Sequence, residues 1–203
     1  KTLKNAARLR TIVGVFAKHG FHGVAEKIKL GKFLIERFSA SEELEKLTVP
    51  ERLRLSFEEL GPTFVKLGQV LASRPDLIPE DYTSEFEKLH DRVQTLPFDV
   101  VESVLKEEFG NSLYQKFTFI DPSPLGSASI AQVHKARLAT GETVVIKVQR
   151  PGIIQTINDD LNVLFFIAEL LEKYITEVRT FNPVGMVHEY FKTLEHETNF
   201  IVE

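Results

Sequence analysis

Gly126-Ser-Ala-Ser-Ile-Ala-Gln-Val133, followed a short way on by Val144-Val-Ile-Lys147-Val148, is the stretch on which the reading of this chain turns. Small residues crowd its first part, as at a tight turn, and aliphatic residues surround the lysine of its second part, as on a strand. Between Gly126 and Lys147 there is room for the second half of the turn, one strand, a hairpin at Ala139-Thr-Gly141 and the next strand.

That layout resembles the nucleotide site of protein kinases. There a G-x-G-x-x-G-x-V turn covers the ATP phosphates, and a strand ending in an aliphatic-Ile-Lys sequence brings an ammonium to them. Gly126, Ala128, Ala131 and Val133 fall on the four positions of that turn, and Lys147 on the lysine. Alanine changes the chemistry, because each Cβ excludes most of the positive-φ space open to glycine and limits how closely backbone N–H groups approach a phosphate. The resemblance thus implies a nucleotide loop of altered selectivity or rate, with Gly126, Ser127, Ala128, Ser129 and Val133 as nucleotide-binding positions beside Lys147. Without it, the same residues read as a β-hairpin with small residues at its turn and a strand lysine reaching solvent.

With 203 residues and 43% hydrophobic content, the chain is able to bury a proper core. It has no run near the roughly 20 apolar residues that cross a bilayer. The absence of cysteine removes disulfides, thiolate catalysis and cysteine zinc sites. A net charge of −4 argues against nonspecific nucleic-acid binding, but its distribution is uneven. Residues 1–40 carry nine Lys or Arg against Glu26 and Glu36, so a basic arm precedes an acidic body. The chain opens without Met and stops inside a charged, helical-looking segment, and we expect a piece of a longer protein.

Residues 1–38 read as basic amphipathic helix interrupted at Gly20, Gly23 and Gly31, fit either to lie on an anionic membrane or to dock its apolar face on the rest of the protein. Pro50 opens a helix that stops at Gly61-Pro62; a second spans about Thr63 to Ser73. Pro79 with Glu80-Asp81 opens another, carrying Phe86 and Leu89, and Pro97 opens the next, which closes at Gly110. Strands follow at Phe117–Ile120, Ile130–Leu138 and Thr143–Val148. Helices are expected again from Ile154 to Ile175 and from Pro183 toward Glu203. The order defines an α+β fold: a basic arm (1–48), a helical extension (49–112) and a kinase-like amino-terminal lobe (113–203), with the carboxyl-terminal lobe absent from this chain.

Lys66-Leu-Gly68-Gln69, with Ser73-Arg74, Asp76-Leu77 and Pro79 after it, resembles the K-x-G-Q signature of the UbiB family, atypical protein-kinase-like proteins of coenzyme Q biosynthesis. Ala131-Gln132-Val133-His134-Lys135-Ala136 and Val145-Ile146-Lys147-Val148-Gln149-Arg150-Pro151-Gly152 are similar to the same family, over roughly Pro50 to Glu203. Glu197-Thr-Asn199 resembles its E-x-D element with Asn in place of Asp. The resemblance implies catalytic roles for Lys147 and Glu197, paired as in kinases. It implies a regulatory role for Lys66, Gly68 and Gln69, an element that in the family folds over the nucleotide cleft; Lys66 and Gln69 share a helical face, and Gly68 between them allows another backbone close.

By the same resemblance, the whole protein is an atypical kinase or ATPase supporting ubiquinone biosynthesis. It would bind ATP or ADP with Mg2+, whose ligands are expected beyond Glu203, since no H-R-D or D-F-G sequence is present. Its expected partners are nucleotide, an anionic membrane surface through residues 1–40 and quinone-biosynthesis proteins, with no nucleic acid. Its expected place is the bacterial cytoplasm at the inner membrane, or the matrix face in a mitochondrion. The competing readings are a pseudokinase-like scaffold that senses nucleotide or lipid without turnover, and a peripheral lipid-binding helical protein. No metal site is read from the chain: His19, His22, His188 and His196 lack zinc spacing. Adjacent Asp159 and Asp160 point about 100° apart on a helix and read as a solvated or locally paired turn. Ser127 and Ser129 lack a hydrolase elbow.

Overall fold

The computed structural model describes residues 2–27, 44, 46–89 and 95–200; Gly31, Glu36 and Glu203 of the expected arm and last helix lie outside the described residues. In chain order the elements begin with α1 (Thr2–Phe16), a π-helical turn (Ala17–Phe21), α2 (His22–Lys27), α3 (Val49–Leu60), α4 (Pro62–Ala72) and α5 (Glu80–Phe86). Next come α6 (Phe98–Phe109), a 3-10 turn (Gly110–Ser112), α7 (Leu113–Lys116), β1 (Phe117–Ser127), β2 (Ala131–Leu138) and β3 (Thr143–Gln149). The chain then forms α8 (Ile153–Tyr174), a 3-10 turn (Thr176–Phe181) and α9 (Pro183–Thr198).

Packing divides the chain into two units, Lys1–His90 with Ile154–Glu203, and Asp91–Ile153. The units cut across the three segments drawn from the sequence. The helix after Pro97 belongs with the sheet, and the helices after the sheet belong with the amino-terminal ones.

In the sheet unit, β1-β2-β3 form an antiparallel sheet in that order. The β2–β3 hairpin turns where it was expected: Gly141 has φ 99° and donates its N–H to Leu138 C=O at 2.9 Å, a conformation open to glycine and strained for other residues. β1 is longer than the Phe117–Ile120 strand expected, running on through Pro122 and Pro124 to Ser127. It is an edge strand, and its register shifts between Ile120 and Pro124 and again before Gly126, the irregularities at which proline is tolerated. One face of the sheet packs on α6, where Val101 and Leu105 meet Leu113, Val148, Phe117, Ile120 and Ile146. Burying each such aliphatic side chain contributes about 1.5–3 kcal/mol.

In the helical unit, proline and glycine set the boundaries of α3 and α4 as read. Thr48 and Glu51 form a reciprocal capping box at the start of α3, with Pro50 in its first turn. A cluster of Phe16, Phe57, Phe64 and Phe86 joins α1, α3, α4 and α5, with Phe57 and Phe86 stacked at 5.3 Å. The apolar face of α1 is used inside the protein: Ile12, Val13, Val15 and the following Ala17 are buried, and Val13 packs with Leu170, Leu171 and Ile175. Polar contacts hold α1 as well, since Lys18 and His19 both reach Glu59 at 2.9 Å.

Asp159 and Asp160 part company on α8. Asp159 accepts a local bond from Gln155 at 2.8 Å, as expected. Asp160, by contrast, is not a solvated turn residue: it is 1% exposed and pairs with Arg8, which also donates to Leu60 C=O at 2.8 Å. The 100° step between neighbours turns one carboxylate out and the other into the core, where only a cation brought from α1 makes its burial tolerable.

Candidate functional site

The sheet aligns three of the expected nucleotide-site positions in one row. Gly126 lies opposite Val133 in the β1–β2 register, and Val133 lies opposite Lys147 in the β2–β3 register. Opposed residues on neighbouring strands share a face, so the loop glycine, the valine and the lysine line one side of the sheet. It is the side opposite Ile146 and Val148, which pack on α6. Lys147 is exposed, as is Val145 beside it at 65%. A methyl group placed on Gly126 would meet nothing within 4 Å, so that end of the row is open.

Beneath the row lies a buried polar network. Gln132 and His134, alternate residues of β2, are both 0% exposed. Gln132 Oε1 accepts from Leu96 N–H at 2.8 Å and from Ser127 Oγ at 3.3 Å, while Gln132 Nε2 donates to Leu96 C=O at 3.3 Å. Its second N–H meets His134 Nε2 at 2.9 Å, and His134 Nδ1 lies 2.7 Å from Asp121 C=O, in the shifted part of β1. A carbonyl only accepts, so Nδ1 carries the proton and Nε2 is the acceptor from Gln132. Every donor and acceptor of the glutamine amide is thereby used, the condition under which a polar group is tolerated in a core.

The loop is closed by its own backbone and by Arg150. Ala128 N–H donates to Ala131 C=O at 2.8 Å. Arg150 donates from Nε to Ala128 C=O at 2.9 Å, from Nη2 to Ser127 Oγ at 2.6 Å, and from its backbone N–H to Ile130 C=O at 2.9 Å. Partial burial holds the Arg150 guanidinium below its ordinary pKa. Ser127 therefore has its hydroxyl engaged by Arg150 and Gln132, and Ser129 is 4% exposed within the turn. Ala128 is exposed, and its amide is used inside the turn.

In the helical unit, Lys66 Nζ lies 2.7 Å from Glu197 Oε1, joining α4 to α9. The sequence reading had assigned Glu197 to Lys147 and Lys66 to a separate cover; here the lysine and the glutamate form one ion pair. Gln69 donates to Leu89 C=O at 3.2 Å, so Lys66 and Gln69 reach different partners from their shared face. Gly68 permits close approach of side chains rather than of a backbone: an added methyl would collide with Leu89 and crowd the Phe57 ring at 3.0 Å. Near this pair, Tyr190 of α9 donates to Thr63 C=O of α4, and burial, aided by the Asp160 and Glu197 carboxylates, pushes its phenol pKa up. Asn199 caps the end of α9, its N–H directed to His196 C=O at 3.4 Å.

Gln132, His134 and Arg150 entered the sequence reading only as letters of a family phrase. A usable signal was present: Gln132 and His134 alternate with period two on a strand whose next residue on that face, Ala136, is buried core.

Comparison with known proteins agrees with the family resemblance of the sequence. The model of the ABC1 atypical kinase-like domain matches residues 88–203. A probable protein kinase UbiB of Marinobacter nauticus is 43% identical over 152 residues, which is 75% of this chain and 28% of that protein. The protein of the same name in Pseudomonas fluorescens SBW25 is 44% identical over 154 residues, 75% of this chain and 28% of the relative. That of Pseudomonas aeruginosa PAO1 is 41% identical over 174 residues, 86% of this chain and 32% of the relative. The chain thus spans about a third or less of the length of these relatives. With a three-stranded antiparallel sheet and its helix built as a kinase amino-terminal lobe, and with a family model covering more than half of its residues, the chain belongs to the ABC1 atypical kinase-like family, that of the UbiB proteins.

Proposed function

We propose that the sheet unit is the nucleotide-binding portion of an atypical kinase or ATPase supporting ubiquinone biosynthesis. The row of Gly126, Val133 and Lys147 across three strands carries this reading, because it puts a cation and an unobstructed glycine on one face. ATP or ADP fits that face: the Lys147 ammonium takes a phosphate, and Gly126 lets it approach the backbone. Mg2+ bound with the nucleotide would neutralise phosphate charge in this reading.

The Lys66–Glu197 pair, with Gly68 and Gln69, serves in this reading as the regulatory element. We place the protein at the cytoplasmic side of a bacterial inner membrane, or at the matrix face in a mitochondrion, among proteins of quinone biosynthesis. The excess of basic residues in 1–40 supports contact with anionic lipid. Because Ile12, Val13 and Val15 of α1 are buried, that contact is electrostatic and weakens with salt. Among the described residues no helix is long and apolar enough to cross a membrane.

The test is phosphate release by the full-length protein with Mg-ATP. Turnover that disappears in Lys147→Ala supports the enzyme; nucleotide binding without phosphate release supports the scaffold.

A further inference from the structure

We propose that Arg150 is the positioning residue of the phosphate loop, a clamp that holds the turn closed and thereby limits which nucleotide it accepts; the second half of this rests on the nucleotide reading above. Nε and Nη2 lie on one edge of the guanidinium, so their N–H bonds run parallel, and they meet two oxygens of the same loop, Ala128 C=O and Ser127 Oγ. The backbone N–H of Arg150 takes a third, Ile130 C=O. One residue at the end of β3 thus fastens both arms of the turn 127–130.

The clamp is itself braced. Ser127 Oγ, held by Arg150, donates to Gln132 Oε1, and Gln132 is fixed to both polar groups of the Leu96 backbone and to His134. The loop cannot lift without disturbing a fully satisfied buried network, which gives the closed turn a second source of rigidity besides the alanine at 128. In the closed turn the Ala128 amide is directed at Ala131 C=O. A phosphate that needs that amide has to break this bond. A triphosphate asks for more donors and more room than a diphosphate, so loosening the clamp favours ATP relative to ADP.

Lysine does not reproduce the clamp, because an ammonium is a point donor on a flexible stem and does not span two oxygens with a fixed fork. The experiment uses the full-length protein as wild type, Arg150→Lys and Arg150→Gln. Amide hydrogen exchange is followed without nucleotide, and ADP and ATP are titrated with Mg2+ by calorimetry. Exchange at Ala128 is expected to rise about tenfold in Arg150→Gln and less in Arg150→Lys, with the β2 and β3 amides unchanged; the ATP-to-ADP affinity ratio is expected to rise about threefold or more in Arg150→Gln. Unchanged Ala128 exchange, or an equal rise throughout the sheet, would overturn the clamp, the latter by showing a general structural role. An unchanged affinity ratio would overturn the selectivity it is assigned. Failure of the wild type to bind either nucleotide removes the nucleotide reading, while the exchange comparison still decides the clamp.

Discussion

The two units hold their functional residues by different means. In the sheet unit the backbone does the placing: strand register sets Gly126, Val133 and Lys147 in a row, and a buried network beneath keeps the loop still. In the helical unit side chains do it, through one ion pair between α4 and α9 and one glycine packed under Leu89. Register is encoded by short-range periodicity, whereas an ion pair between residues 66 and 197 is encoded by nothing local. The first kind of site is therefore readable from sequence and the second is found only in the fold.

Gln132→Ala sharpens this contrast most. It strips partners from both Leu96 backbone groups, the Ser127 hydroxyl and His134 Nε2 at a site with no solvent exposure. A destabilisation of about 3 kcal/mol is expected in denaturant unfolding. A loss under about 1 kcal/mol would show that water replaces the amide and that the network is not rigid.

The two glycines come next. Gly68→Ala forces a methyl into Leu89 and Phe57 and should cost about 2 kcal/mol, by overpacking. Gly126→Ala meets open space and should change stability by less than about 0.5 kcal/mol, while still weakening nucleotide binding. Thermal unfolding of the two variants side by side checks this; equal losses would erase the distinction between a packed glycine and a ligand-facing one.

Acid should act on the ion pairs of the helical unit. Lys88 holds the Glu85 carboxyl below its ordinary value of 4.5, against burial, with Arg54 adding to it. Burial would raise Glu59, yet Lys18 and His19 bring it below the same value. Stability from a depressed carboxyl is complete above its unfolded pKa and fades as pH falls through the lower folded value. Amide exchange across the acid range should thus show the contacts of α1, α3 and α5 loosening once the pH drops below about 4.5. Exchange at those contacts that stays flat as the pH falls well below the ordinary carboxylate value would contradict this.

The smallest effect is expected at the Lys66–Glu197 pair, which is partly exposed and worth less than about 1 kcal/mol of stability. Lys66→Ala and Glu197→Ala should nevertheless be non-additive in phosphate release, because each breaks the same contact. Strictly additive losses in the double variant would separate the two residues again.

What could be read in advance follows the same division. Pro50, Gly61, Pro97 and Gly110 mark helix ends because a missing N–H or an unusual φ acts on the residue itself. The spacing from Gly126 to Lys147 announced the strand row for the same local reason. β1 was read short because Pro122 and Pro124 argue against a strand, and only the shifted register of an edge strand lets them in. The burial of Asp160, the contacts of Arg150 and the Lys66 contact of Glu197 were not read in advance because the partners lie far off in sequence or in backbone carbonyls, which no side-chain pattern reports.

The most direct measurement is calorimetric titration of Mg-ADP and Mg-ATP into the full-length protein and its Lys147→Ala variant. Both nucleotides should bind the wild type, and the variant should bind at least about tenfold more weakly, the loss of one charge-assisted contact. Equal affinity in the two proteins would remove Lys147 from the phosphates and, with it, the nucleotide site read from the row across the sheet.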